Sequence, residues 1–73
     1  MTVNMRQVFS SHVKAIGYDD AKGELHVAYQ NGKTAVHEGV PPAIAKNVMG
    51  SASIGQALHA QVRGQFKHRY LEG

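Results

Sequence analysis

The hydrophobic positions change period once along the chain. From Val13 to Glu38, apolar and polar residues alternate in short runs, the two-residue period of half-buried strands. Three strands are predicted, over residues 13–18, 24–29 and 34–38, with Arg6-Gln7-Val8-Phe9 as an edge strand before Ser10 and Ser11. Asp19-Asp20-Ala21-Lys22-Gly23 carries acids at turn-initiating positions and a glycine for positive φ, so it reads as a turn. Gln30-Asn31-Gly32-Lys33 reads as a hairpin whose two-residue loop is Asn31-Gly32 in a type I′ turn. Such a loop would set Tyr29 opposite Thr34, Val27 opposite Val36 and His26 opposite His37. Leu25, Val27, Tyr29 and Val36 would then face the core, and His26, Ala28, Ala35 and His37 the other side.

Beyond residue 39 the period becomes helical. Val40-Pro41-Pro42 ends the sheet, and Pro42 suits a first helical turn because its missing N–H is not needed there. Ile44 and Val48 stand one turn apart, and Gly50 closes that short helix. Ser53 and Gln56 fit a capping box. Ile54, Leu58, Val62, Phe66 and Tyr70 then recur every four residues, predicting one long amphipathic helix with His59, Arg63 and Lys67 as a basic ridge beside the apolar one. Gly64 would weaken that helix by roughly 1 kcal/mol relative to alanine. The expected fold is α+β: a small antiparallel β-meander of three to four strands packed by a short helix and a long C-terminal amphipathic helix. Residues 1–6 are expected to be a flexible N-terminal tail and residues 7–73 a single domain.

Composition narrows the function classes. The 73 residues include no cysteine, so neither a disulfide framework nor a cysteine-based zinc site supports the fold. Stability must come from one small core, with a thin margin. The chain carries +3, all of it in residues 39–73, where Lys46, Arg63, Lys67 and Arg69 face only Glu72; residues 1–38 sum to zero. That asymmetry points to an acidic partner, a nucleic acid or an acidic protein surface. No signal peptide is evident, which leads to a cytoplasmic expectation. Ser10, Ser11 and His12 are adjacent in an extended stretch, which sends neighbouring side chains to opposite faces, and no nucleophile set or phosphate-binding loop occurs. No enzymatic activity and no cofactor are therefore expected. His26 and His37 as cross-strand partners would give only a weak, open metal site, and no metal is assigned.

Several segments in order, namely Ser10-Ser11, Ile16-Gly17-Tyr18-Asp19, Gly39-Val40-Pro41, Ala52-Ser53-Ile54-Gly55 and Val62-Arg63 with Phe66, resemble the KTSC domain. That domain is named for its occurrence at the C-terminus of some lysyl-tRNA synthetases and also occurs free-standing. The family carries a Tyr-x-Tyr before Gly-Val-Pro, where this chain has Ala35 and His37. The resemblance implies one of two roles. It extends to a small phage-encoded regulator that binds host bacterial RNA polymerase near the RNA exit channel, inhibits initiation by sigma displacement and promotes antitermination. It also extends to a KTSC-type RNA-binding module. The first implies a non-enzymatic chain, monomeric when free, in the host bacterial cytoplasm, with the polymerase and nascent RNA as partners. Val3, Asn4, Met5 and Arg6, with Lys14, Arg63, Lys67 and Arg69, are the candidate contact residues, chosen as an apolar tail able to add to a partner's sheet or groove and as the cations beside it.

Overall fold

The computed structural model describes residues 5–8 and 12–71. Five strands form one antiparallel sheet in sequential order: β1 (Arg6–Gln7), β2 (Val13–Asp19), β3 (Glu24–Tyr29), β4 (Thr34–His37) and β5 (His68–Leu71). Two eight-residue helices, α1 (Pro42–Met49) and α2 (Ile54–Gln61), lie between β4 and β5 in the chain. The α+β class is as expected, but the sheet has one strand more than the predicted maximum, and no long C-terminal helix exists among the described residues.

The reason lies at Gly64. Ile54, Leu58 and Val62 do form a buried apolar row. The helix stops at Val62, where the N–H groups of Val62 and Arg63 both donate to the Leu58 carbonyl. Gly64 then takes φ +79°, a left-handed conformation that reverses the chain at little cost only for glycine. Phe66 falls in the resulting turn and Tyr70 in a strand. Their four-residue spacing continues the helical pattern without continuing the helix, so His59, Arg63 and Lys67 make no helical ridge. At the start of α2, Ser53 holds the N-cap position without a side-chain cap bond. The Ser51 hydroxyl instead accepts from the Ser53 N–H at 3.1 Å, so the capping box is not formed. Pro42 opens α1 and Gly50 closes it, as the sequence indicates.

The first turn follows its sequence closely. The Asp19 carboxylate accepts from the N–H groups of Ala21 (3.1 Å) and Lys22 (3.3 Å), and Gly23 has φ +68°. The second does not. Tyr29 N–H donates to the Lys33 carbonyl at 2.7 Å, Gly32 alone takes positive φ, and the Asn31 side chain accepts from Lys33 N–H at 3.0 Å. The loop therefore holds three residues rather than two, which is the bulged alternative hairpin connection. The register moves by one residue: Val27 pairs with Ala35, His26 with Val36 and Leu25 with His37. A one-residue slip exchanges the faces of an entire strand. Ala35 and His37 turn to the core side, and Val36 turns away from it. His26 and His37 are not partners and lie on opposite faces, so the cross-strand metal pair does not form.

Two rows cross the inner face: Tyr18, Leu25, His37 and His68, and Ile16, Val27, Ala35 and Tyr70. Ile16, Leu25 and Val27 pack with Val40, Ala45, Val48, Leu58 and Val62 from the helical half, all essentially without solvent contact. Tyr18 ties the layers together by donating its hydroxyl proton to the Val40 carbonyl. Both rows run from buried or half-buried residues on β2–β4 to exposed ones on β5, so the helical layer stops short of the last strand. Among the described residues, no helix is long and apolar enough to cross a membrane.

Gly64 has open space where a Cβ would project, so its requirement is conformational rather than steric. Gly64→Ala is expected to lower unfolding stability by about 1–2 kcal/mol, the cost of a left-handed L-residue, as measured by urea titration.

Candidate functional site

The sheet and helices leave two depressions on opposite faces. The inner one is a cleft of about 300 Å³ between β4–β5 and the end of α2. Ala35 floors it with a side chain too small to fill the space beneath Tyr70, and Gly64 contributes no side chain on the facing turn. His37, His68, His59, Arg63, Tyr29 and Tyr70 supply its polar and aromatic walls, and no carboxylate lines it. The His37 and His68 rings stand 5.7 Å apart, and His68 meets Tyr70 edge-on at 5.7 Å. The Lys33 ammonium lies 5.9 Å from the centre of the Tyr70 ring, a cation–π geometry. Tyr70 is 56% exposed, an unusual share for a ring backed by a sheet.

His37 is the anomaly of this cleft. It is 3% exposed, yet neither ring nitrogen has a hydrogen-bond partner. A buried polar group left unsatisfied costs about 1–3 kcal/mol. Burial lowers its pKa from 6.5 to about 4, helped by the neighbouring His68 and Arg63. At neutral pH it is therefore an uncharged imidazole offering one donor and one acceptor. Burial also holds the Tyr29 phenol above its ordinary value, against the opposing pull of Arg63.

The outer depression, about 540 Å³, lies on the sheet face that carries no helices. Its floor is Ala15, Ala28 and Thr34, small side chains in one cross-strand row that ends at Leu71. Met5, 39% exposed, and Leu71, 44% exposed, give it apolar rims. Lys14 and Lys22 stand beside it, and Glu24 is shared by His26 at 3.4 Å and Arg69 at 3.5 Å. Arg69 also reaches Glu38 at 3.8 Å.

The candidate contact residues thus divide. Met5, Lys14 and Arg69 converge on the outer depression. Arg63 lies in the inner cleft, away from them. It makes no ion pair among the described residues. Lys67 is exposed at the entry to β5, where its carbonyl accepts from Glu38 N–H at 2.8 Å. Arg6 is exposed on β1 opposite Ile16, and Val3 and Asn4 lie outside the described residues. Sequence reasoning missed His37, His59, His68, Tyr29 and Tyr70 as a group. It placed His37 on the wrong face and Tyr70 on a helix. A three-residue reading of the Asn-Gly loop would have found His37.

The match to known proteins covers the same frame. The family model for the KTSC domain matches residues 9–66, most of the chain. The chain belongs to the KTSC domain family. A protein of Tsukamurella paurometabola is 30% identical over 63 residues, which cover 86% of this chain and 94% of that one. The crystal structure of a KTSC domain protein from Yersinia pestis superposes with a TM-score of 0.93 at 27% identity, covering 97% of this chain and all of that one. The KTSC domain model ends at Phe66, so Arg69, Tyr70 and Leu71, which wall both depressions here, lie beyond it.

The buried imidazole sets a pH dependence. An unfolded chain protonates His37 near pH 6.5, whereas the folded chain does so only near pH 4. Between these values the unfolded state binds more protons, so stability is full above pH 6.5, falls as pH drops towards 4, and levels off below. The groups facing His37 are His68 on β5, Arg63 and His59 from the α2 side, and Tyr29 and Tyr70 on the sheet. His37→Phe is expected to flatten the pH dependence in this window, read from thermal unfolding at pH 7, 5 and 4.

Proposed function

We propose that this KTSC domain is a non-enzymatic transcription regulator that binds host bacterial RNA polymerase through the open face of its sheet. The observation that carries the reading is the convergence of Met5, Lys14 and Arg69 on one apolar-floored depression. A flexible thioether, small floor residues and the exposed ammonium groups of Lys14 and Lys22 suit a protein surface with acidic groups at its border. The resemblance to a phage-encoded polymerase-binding member of the family supports the choice of partner. The action is steric and electrostatic. The domain occupies polymerase surface near the RNA exit channel, which hinders sigma in initiation and the RNA hairpin in termination.

The test is retention of purified bacterial polymerase on the immobilised domain, followed by transcription from a sigma-dependent promoter across an intrinsic terminator. Intact protein is expected to retain polymerase, reduce initiation and raise read-through. Met5→Glu and Lys14→Glu, both at exposed positions, are expected to weaken retention at least about tenfold together, the effect of roughly 1.4 kcal/mol. No retention by intact protein, or retention indifferent to both changes, rejects the reading.

A further inference from the structure

The sheet ends in an open edge at β5. Glu38 N–H donates to the Lys67 carbonyl at 2.8 Å, and β5 continues antiparallel to β4 with Val36 opposite Arg69 and Thr34 opposite Leu71. Hydrogen-bonded pairs alternate along such a ladder. Lys67, Arg69 and Leu71 therefore turn their backbone N–H and C=O groups to β4, and His68 and Tyr70 turn theirs outward. Among the described residues no strand lies beyond β5. All four of its residues are exposed, whereas β1 at the other edge has only two residues. Unpaired backbone of this kind is a template for another strand, and a projecting charge is one common guard against it. Arg69, the sole lysine or arginine of β5, does not project from the edge: it is drawn back over the outer face to Glu38 and, on β3, Glu24.

Charge selects the strand that fits. In an added antiparallel strand, residues opposite His68 and Tyr70 carry their side chains on the inner face, and the residues between them on the outer face. On the inner side, the cleft continues past Tyr70 into an adjoining depression that holds Arg63 and Lys33, and no carboxylate lines either part. Arg63 has no acidic partner among the described residues. On the outer side, Glu24 and Glu38 already stand beside Arg69. An incoming acid is thus favoured inside and disfavoured outside, where an apolar side chain can lie along the exposed Leu71. A second copy of this chain fits poorly, because it would bring two sets of unpaired cations together.

We propose that the β5 edge takes up an extended acidic segment of another protein as an added antiparallel strand, with alternate carboxylates on the inner side towards Arg63 and Lys33. Main-chain hydrogen bonds to His68 and Tyr70 give the affinity, and the alternation of acid and apolar residues gives the specificity. Met5 and Lys14 lie on the outer face, so failure of this contact and failure of the polymerase reading are read from different variants.

The experiment is an amide NMR titration of the isotope-labelled whole protein at about 50 mM salt, where charge is less screened. The probe is a capped octapeptide alternating glutamate and valine. At saturation the His68 and Tyr70 amides are expected to exchange at least about fivefold more slowly, since a bonded amide exchanges only on opening. N-methylation of the glutamates removes the N–H groups that would face β5 and should abolish binding. N-methylation of the valines, whose N–H groups face away, should leave affinity within about threefold. A lysine–valine octapeptide should bind at least about tenfold more weakly. Arg63→Glu should weaken the glutamate peptide about fivefold or more, and Lys46→Glu, the same change of net charge at an exposed position on α1, less than about twofold. Circular dichroism checks that both variants fold; should Arg63→Glu unfold, the methylated peptides test the same edge on unaltered protein. No binding of the glutamate peptide, equal binding of the lysine peptide, or loss on methylating the valines instead of the glutamates overturns the proposal. So does equal weakening by the two variants, or dimerisation of the free protein that protects the same two amides.

Discussion

The backbone hydrogen bond from Tyr29 N–H to the Lys33 carbonyl closes a loop of three residues. An odd loop decides which side of the sheet each β4 side chain occupies. With Gly32 as the single left-handed residue, Val27 meets Ala35 and Leu25 meets His37. Ala35 on the inner side leaves room under Tyr70, and His37 on that side is buried without partners. With the even loop, Val36 would take the inner position and His37 would join His26 on the outer face. The existence of the inner cleft thus follows from one residue of loop length, through a slip whose effect reaches the third strand over.

Much of the frame was legible. The strand ranges, the Asp19 turn, Pro42 at the head of α1 and the Ile54, Leu58 and Val62 row all express local rules whose causes sit within a few residues of each other. What was not legible depended on choices between two local solutions. Asn-Gly permits either a two-residue turn with both φ values positive or a longer loop with one. Apolar residues every four positions permit a helix, but positions 66 and 70 also satisfy a turn and a strand once Gly64 reverses the chain. Tertiary pairing with β4 selects the strand, and propensity is too weak a term to oppose it. The candidate site suffered accordingly: Met5, Lys14 and Arg69 share a face, whereas Arg63 joins aromatic residues that no spacing connects to it.

The two faces are unlike in electrostatic construction. Outside, Arg69 is held between Glu24 and Glu38, and Glu24 also meets His26, so charge is largely compensated and the floor is small and apolar. Inside, beyond the edge of the helical layer, cations and rings gather without compensation. The acid-free stretch between Gly39 and Leu71 accounts for the difference, because it supplies the end of α2, the Gly64 turn and β5. A short chain has arranged one face on which charge is paired and another on which it is not.

Strand β5 forms one wall of the inner cleft, and all four of its residues are exposed. Its backbone pairs with β4 alone, and its further ties are the partly exposed ion pairs of Arg69 with Glu24 and Glu38. Segments anchored so lightly open with far less free energy than the whole molecule needs to unfold. The aromatic wall can therefore detach and re-dock while Ile16, Leu25 and Leu58 stay packed. The width of the inner cleft is thus set by a hinged edge and not by the packed core.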